Sequence, residues 1–251
     1  MLVVHTSRTV TDPAAAVEPP EQLLDIQWLA FDLDNVLYDA TGWWRWMVHQ
    51  LIRFGLHTDA DSLRRVWELD WLRDVQYGRA DHWDQFGQFL KTLGLSRGQV
   101  GEMLVAARPR YDHLVELVRP FPLLLRTMQG LKSRRWRLAL AAATAHNRAE
   151  VSRLLDRLRV RGVFDETLLS TEIGPAGVAE GVALRLAERL SLPPSQIGFV
   201  GSGCAELAAA RRRDAVTIGL ATPVHVPVCW RIEHFEYLSR VPAWQTLRQA
   251  G

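Results

Sequence analysis

Two carboxylates, Asp32 and Asp34, stand two residues apart in "FDLDNVLYD", at the end of the apolar run "IQWLAF". A strand running out into a solvated turn accounts for such a pair, because Asp and Asn favour turns. The same pair also suits a nucleophile and a proton donor held side by side, one to form a covalent intermediate and one to alternate as acid and base. The elements around the pair decide between these readings.

Short apolar runs that read as buried strands recur along the chain: "IQWLAFDLD", "RWRLALAAAT", "FDETLLS", "QIGFVGSG" and "AVTIGLAT". Helical patterns separate the later ones, in "NRAEVSRLLDRLRV", "VAEGVALRLAERL" and "AELAAARRR". Strands alternating with helices predict a parallel sheet covered on both faces, a doubly wound, Rossmann-like α/β core. About a hundred residues separate the first strand from the second, far more than one crossover requires. That stretch shows apolar stripes at helical spacing, with helix starts at Asp59 or Asp61 and at Ser96. The expected organisation is a loose extension over 1–21, a core from 22–41 and 120–251, and a helical cap over 42–119. Ligands in such sheets bind beyond the carboxyl ends of the strands. Asp32, Thr144 and the "GSG" at 201–203 all fall at such ends.

Composition narrows the classes. A net charge of +2 gives no nucleic-acid footprint, and no run approaches the roughly 18 apolar residues that span a bilayer. Cys204 and Cys229 are too few for a disulfide framework, and the first residues make a poor secretory signal, so a cytoplasmic setting is expected. The only lysines are Lys91 and Lys132.

With its elements in this order, the sequence resembles the haloacid dehalogenase superfamily, helical-cap subtype, over about residues 26–247. "FDLDNVLYD" fits the family's opening motif through Asp32, Asp34 and Val36, and "LALAAAT" fits the second through Thr144. A helical insert directly after the first motif is the family's common cap type. The resemblance implies phosphomonoester hydrolysis: Asp32 attacks phosphorus, and Asp34 protonates the leaving oxygen and then deprotonates the water. Thr144 and Ala145 would cradle the phosphoryl oxygens, helped by the following helix N-terminus. Mg²⁺ would rest on Asp32, Asp34 and Glu206, and the substrate would be a small phosphorylated molecule. An acid at Asp34 argues against dehalogenation.

The other two motifs depart from the family. The third should supply a lysine, and its position falls near Gly177; the fourth should supply an acid where Ser202 stands, leaving Glu206 as the only acid within reach. Losing one well-placed electrostatic partner typically costs roughly 100- to 1,000-fold in rate. Attenuated hydrolysis is therefore one expectation, and a catalytically inactive relative that binds a phosphorylated ligand or a protein is the other. Each finer assignment has a plainer counterpart. Glu206 also reads as a solvated first-turn residue, Thr144 as a helix cap, and His146 as a loop histidine near the phosphate position. Of ten tryptophans, six lie in the cap; Trp43 and Trp44 could stack on substrate, although aromatics at helical spacing are usually core. The Trp-rich cap also offers a face for a homodimer.

Overall fold

The computed structural model describes residues 8–10, 26–76, 80–144, 146–173, 181–224 and 226–240. Its strands are β1 (Arg8–Val10), β2 (Trp28–Phe31), β3 (Arg137–Ala142), β4 (Glu166–Leu169), β5 (Ile197–Gly201), β6 (Val216–Leu220) and β7 (Trp230–Ile232). They form one sheet in the order β1-β7-β6-β5-β2-β3-β4, every neighbouring pair parallel. The chain moves from β2 to β3 on one side and later returns to β5 on the other. The switch in strand order therefore falls at the carboxyl end of β2, where a crevice is expected.

Alternation along each strand explains why the sheet is covered twice. Leu29 and Phe31 of β2 pack with Met128, Leu131 and Leu154 on one face. Trp28 and Ala30 point the other way, against Val182, Leu186 and Phe199. The covering helices are α6 (Leu124–Ser133), α7 (Arg148–Arg157), α8 (Val182–Leu190) and α9 (Cys204–Arg211). Close packing leaves no room at Gly198 of β5, where an added Cβ would lie 2.8 Å from Leu29 Cδ2.

Between β2 and β3 run α1 (Thr41–Arg53), α2 (Ala60–Val66), a π-helical segment (Trp67–Trp71), α3 (Leu72–Gln76), α4 (His82–Thr92) and α5 (Arg97–Leu117). The predicted starts are real caps. Asp59 accepts from Ser62 N at 2.8 Å, and Ser96 forms a reciprocal capping box with Gln99. These helices share a separate core around Met47, Leu51, Phe89 and Leu90, all fully buried. The insert leaves and rejoins the sheet domain at one place: Tyr38 bridges Pro120, and Phe121 N donates to Leu37 O at 3.1 Å.

Two readings change. Arg8–Val10, expected within a loose extension, adds an edge strand beside β7. The segment "WRI", which the alternation of apolar runs does not single out as a strand, is β7 and is followed by a 3₁₀ turn, Phe235–Arg240. No helix among the described residues is long and apolar enough to cross a membrane.

Candidate active site

Asp32 is the first residue past β2, and its N–H still donates to Val200 O of β5 at 2.9 Å. The chain then makes a single tight turn, with the Val36 and Leu37 N–H groups donating to Leu33 O at 3.4 and 3.0 Å. Asn35 takes φ 56° there, a left-handed conformation that Asn tolerates better than most residues, and its Oδ1 accepts Ala40 N at 3.0 Å. This turn brings Tyr38 back onto Asp34, and the Tyr38 hydroxyl donates to Asp34 Oδ1. From the end of β5, Ser202 Oγ donates to the Asp34 carbonyl oxygen at 3.1 Å. The paired carboxylates thus sit in a built structure and not in a solvated turn.

Asp32 is only 8% exposed. Burial holds its pKa well above the ordinary carboxylate value; the Leu33 N–H bond at 2.8 Å opposes that, and the charges of Glu206, Asp34 and Glu68 add to it. Burial likewise raises the Tyr38 phenol, reinforced by Asp34. The floor of the crevice therefore resists negative charge.

Across from the pair, Thr144 follows β3 and is 3% exposed. Its N–H donates to Ser170 Oγ at 2.9 Å, and that hydroxyl donates back to Thr144 O at 2.8 Å. His146 N donates to Thr144 Oγ1 at 3.1 Å. Two of the backbone N–H groups near an expected phosphate are thus already engaged. Ala145 lies outside the described residues. At the following helix, Asn147 and Glu150 close a capping box, which satisfies N–H groups there that could otherwise face an anion.

Cations near the motif positions in sequence are engaged with other acids. Arg148 pairs with Glu172 and donates to Thr167 O at 3.0 Å. Arg185 pairs with Glu188 at 2.6 Å. Lys132 pairs with Asp165 at 2.6 Å beside the start of β3, and Lys91 lies in α4. The position near Gly177 falls outside the described residues.

Mg²⁺ prefers near-octahedral oxygen ligation, and the donors present do not match it. No group of three His, Cys, Asp or Glu among the described residues could hold an ion. Tyr38 takes Asp34 Oδ1, and Ser202 takes the Asp34 carbonyl. Glu206, in the first turn of α9, acts on Asp32 as a like charge. The metal set read from Asp32, Asp34 and Glu206 is not assembled in this arrangement.

Above the floor lies a cavity of about 300 Å³, with Asp34 and Thr144 in its wall and Asp32 outside it. The insert supplies much of the rest. Trp43 and Trp44 line it as expected, joined by Trp67, Glu68, His82 and Tyr111. Trp44 and Trp67 are also buried members of the insert core, so the same side chains both pack the insert and line the cavity. Trp67 and Glu68 open the π-helical segment, a helix form that recurs at functional sites. His146 lines the cavity too, stacked on Tyr111 at 5.4 Å with Nε2 3.1 Å from its hydroxyl, and Nδ1 3.5 Å from Glu150. Both ring nitrogens of His82 are buried without a hydrogen-bond partner among the described residues. Burial lowers its pKa to about 4, helped by His146, so it is a neutral imidazole at pH 7.

Sequence reasoning passed over Tyr38, Glu68, His82 and Tyr111. Tyr38 carried a usable signal, because a residue four beyond Asp34 returns to it in one helical turn. The other three are ordinary members of helical stripes until the helices are packed.

Solved structures share this architecture. A predicted phosphoglycolate phosphatase from Haemophilus somnus 129PT is 18% identical, over 87% of this chain and 98% of that one, with a TM-score of 0.61. β-Phosphoglucomutase from Clostridium difficile is 13% identical over 88% and 97%, with a TM-score of 0.61. L-2-Haloacid dehalogenase from Xanthobacter autotrophicus is 16% identical over 86% and 98%, with a TM-score of 0.58. No curated protein matches the chain. The model of the hydrolase family described as haloacid dehalogenase-like matches residues 26–213, and the chain belongs to that family.

Proposed function

We propose that the protein is a phosphomonoester hydrolase of attenuated activity, with Asp32 as nucleophile and Asp34 as general acid and base. The observation that carries this reading is the convergence of the β2 and β3 ends: Asp34 and Thr144 line one cavity, with Asp32 two residues before Asp34 at the switch point. In the proposed reaction an Asp32 carboxylate oxygen bonds to phosphorus as the bond to the leaving oxygen breaks. Asp34 gives that oxygen a proton, from Oδ2 because Tyr38 engages Oδ1. Asp34 then takes a proton from the water that displaces Asp32 and releases phosphate. The Thr144 hydroxyl, accepting from His146 N, keeps its own hydrogen for a phosphoryl oxygen.

Attenuation follows from electrostatics. A phosphate dianion beside one carboxylate costs on the order of 4 kcal/mol per charge pair at about 4 Å and an effective dielectric of about 20. Members of the family typically use Mg²⁺; among the described residues no matching donor set offsets that cost, and the sequence has no lysine at the third motif. Asp32 must also ionise against burial and three neighbouring acids before it can attack. The test is hydrolysis of an aryl phosphate across pH, with and without added Mg²⁺, beside Asp32→Asn. Turnover that rises with pH as Asp32 ionises, and is absent from the variant, supports the reading; equal rates for both proteins refute it.

A second reading, ligand binding without turnover, has its own support. Asp32 stays outside the cavity wall, while Tyr38 holds one carboxylate oxygen of Asp34 and Ser202 holds its carbonyl oxygen. A soluble cytoplasmic protein acting on a small phosphorylated molecule, with the insert offering a homodimer face, fits either reading.

A further inference from the structure

The cavity has a sign. Its wall holds the acids Asp34, Asp39 and Glu68 against one guanidinium, Arg119, among the described residues. His82 adds no charge at neutral pH. Asp39 already accepts from Thr41 N at 2.8 Å and lies 3.8 Å from Arg45. Glu68 is less committed. Its one ion pair among the described residues, to Arg64, is 3.8 Å long, and its side chain keeps 35% of its surface exposed. Burial raises its pKa, Arg64 opposes the shift and Asp34 adds to it, so these carboxylates repel each other.

The wall also carries aromatic rings, among them Trp43, Trp67 and Tyr111. Trp43 stands edge-on to Tyr111 with centroids 5.1 Å apart, and Trp67 stands edge-on to His82 at 5.5 Å. Aromatic faces attract cations through the ring quadrupole, most strongly where water is excluded. They cannot ligate a hard metal ion, which requires oxygen donors. A volume of about 300 Å³ is at the small end of ligand pockets, which run about 300–1,000 Å³.

We propose that this cavity receives an organic cation, an amine or quaternary ammonium group, held between Glu68 and the rings of Trp43, Trp67 and Tyr111. Under the hydrolase reading, on which this step rests, the cation is the leaving-group end of a phosphorylated amino alcohol, and its charge offsets the acids that repel the phosphate. Binding of the cation alone does not depend on turnover.

The test is calorimetric titration of the full chain with 2-hydroxyethyltrimethylammonium chloride and with its neutral isostere, 3,3-dimethylbutan-1-ol. The expected result is at least a tenfold preference for the cation. Glu68→Gln should weaken the cation at least fivefold and leave the alcohol unchanged. Equal affinities overturn the proposal, as does an unaltered cation affinity in a Glu68→Gln variant with wild-type circular dichroism. Binding of Mg²⁺ with none of the organic cation also overturns it. Should that variant not fold, the preference of the wild type decides alone. Aryl phosphate hydrolysis is read separately, so a cation site without turnover refutes the hydrolase reading and leaves this one standing.

Discussion

On the sheet side of the crevice the polar groups hold one another, whereas the helical side presents rings and loosely held charge. Asp34 is engaged by Tyr38 and Ser202, and Thr144 by Ser170 and His146. Opposite them, Glu68 has one long ion pair and His82 has two ring nitrogens with no partner among the described residues. A group with satisfied bonds is fixed in place, which suits atoms that must react. A group with spare capacity is ready to receive something. Under the proposed function, the difference would place chemistry on the sheet and selectivity on the insert, and kinetics can separate the two.

The largest expected effect is on the sheet side. Asp32→Asn should cut turnover by at least about 1,000-fold, the scale at which removal of a nucleophile is felt, with substrate affinity retained. A parallel loss of affinity would break the division of labour. Ser202→Asp comes next. Restoring an acid beside the Asp34 carbonyl should let Mg²⁺ raise kcat by roughly 100-fold more than it does for the wild type, the low end of the scale for one electrostatic partner. On the insert side, Trp43→Ala should raise KM about tenfold while leaving kcat within about twofold, the signature of lost ground-state binding. A fall in kcat alone would place Trp43 with the chemistry instead.

Stability gives the smallest and sharpest readout. The folded state raises the Asp32 pKa above the ordinary 3.8, so it holds a proton that the unfolded chain has lost. Wild-type stability should therefore fall, relative to Asp32→Asn, as pH climbs from about that value toward the raised pKa, and the gap should then level off. Urea unfolding of both proteins at several pH values checks this. A gap constant from acid to neutral pH would mean that Asp32 ionises as freely folded as unfolded.

How much of this was legible depends on what each residue asks of its neighbours. The strands β2, β3, β5 and β6 are buried on both faces and betray themselves as apolar runs. Strand β7 does not, because its middle residue is Arg231. That side chain is 5% exposed and donates to the Pro223, Val224 and Val226 carbonyls at 2.9–3.1 Å. Those carbonyls converge only after folding, so a buried arginine reads as a surface one. Asp32, Asp34 and Thr144 were visible because strand ends and a short motif placed them. Glu68, His82 and Tyr111 belong to three different helical segments, and no spacing within one segment predicts that they share a cavity.

The bridge between Tyr38 and Pro120 has a consequence for engineering. Bridged antiparallel residues hold their Cα atoms only about 4.5–5.5 Å apart, so the helical segment departs from the sheet and returns through a single doorway. A graft that exchanges everything between those two residues has one place of covalent connection to match, besides the Tyr111–His146 contact. The barrel of this tool, so to speak, could keep its catalytic end while being fitted with a different handle, and libraries of alternative helical segments could be spliced in without redesigning the sheet.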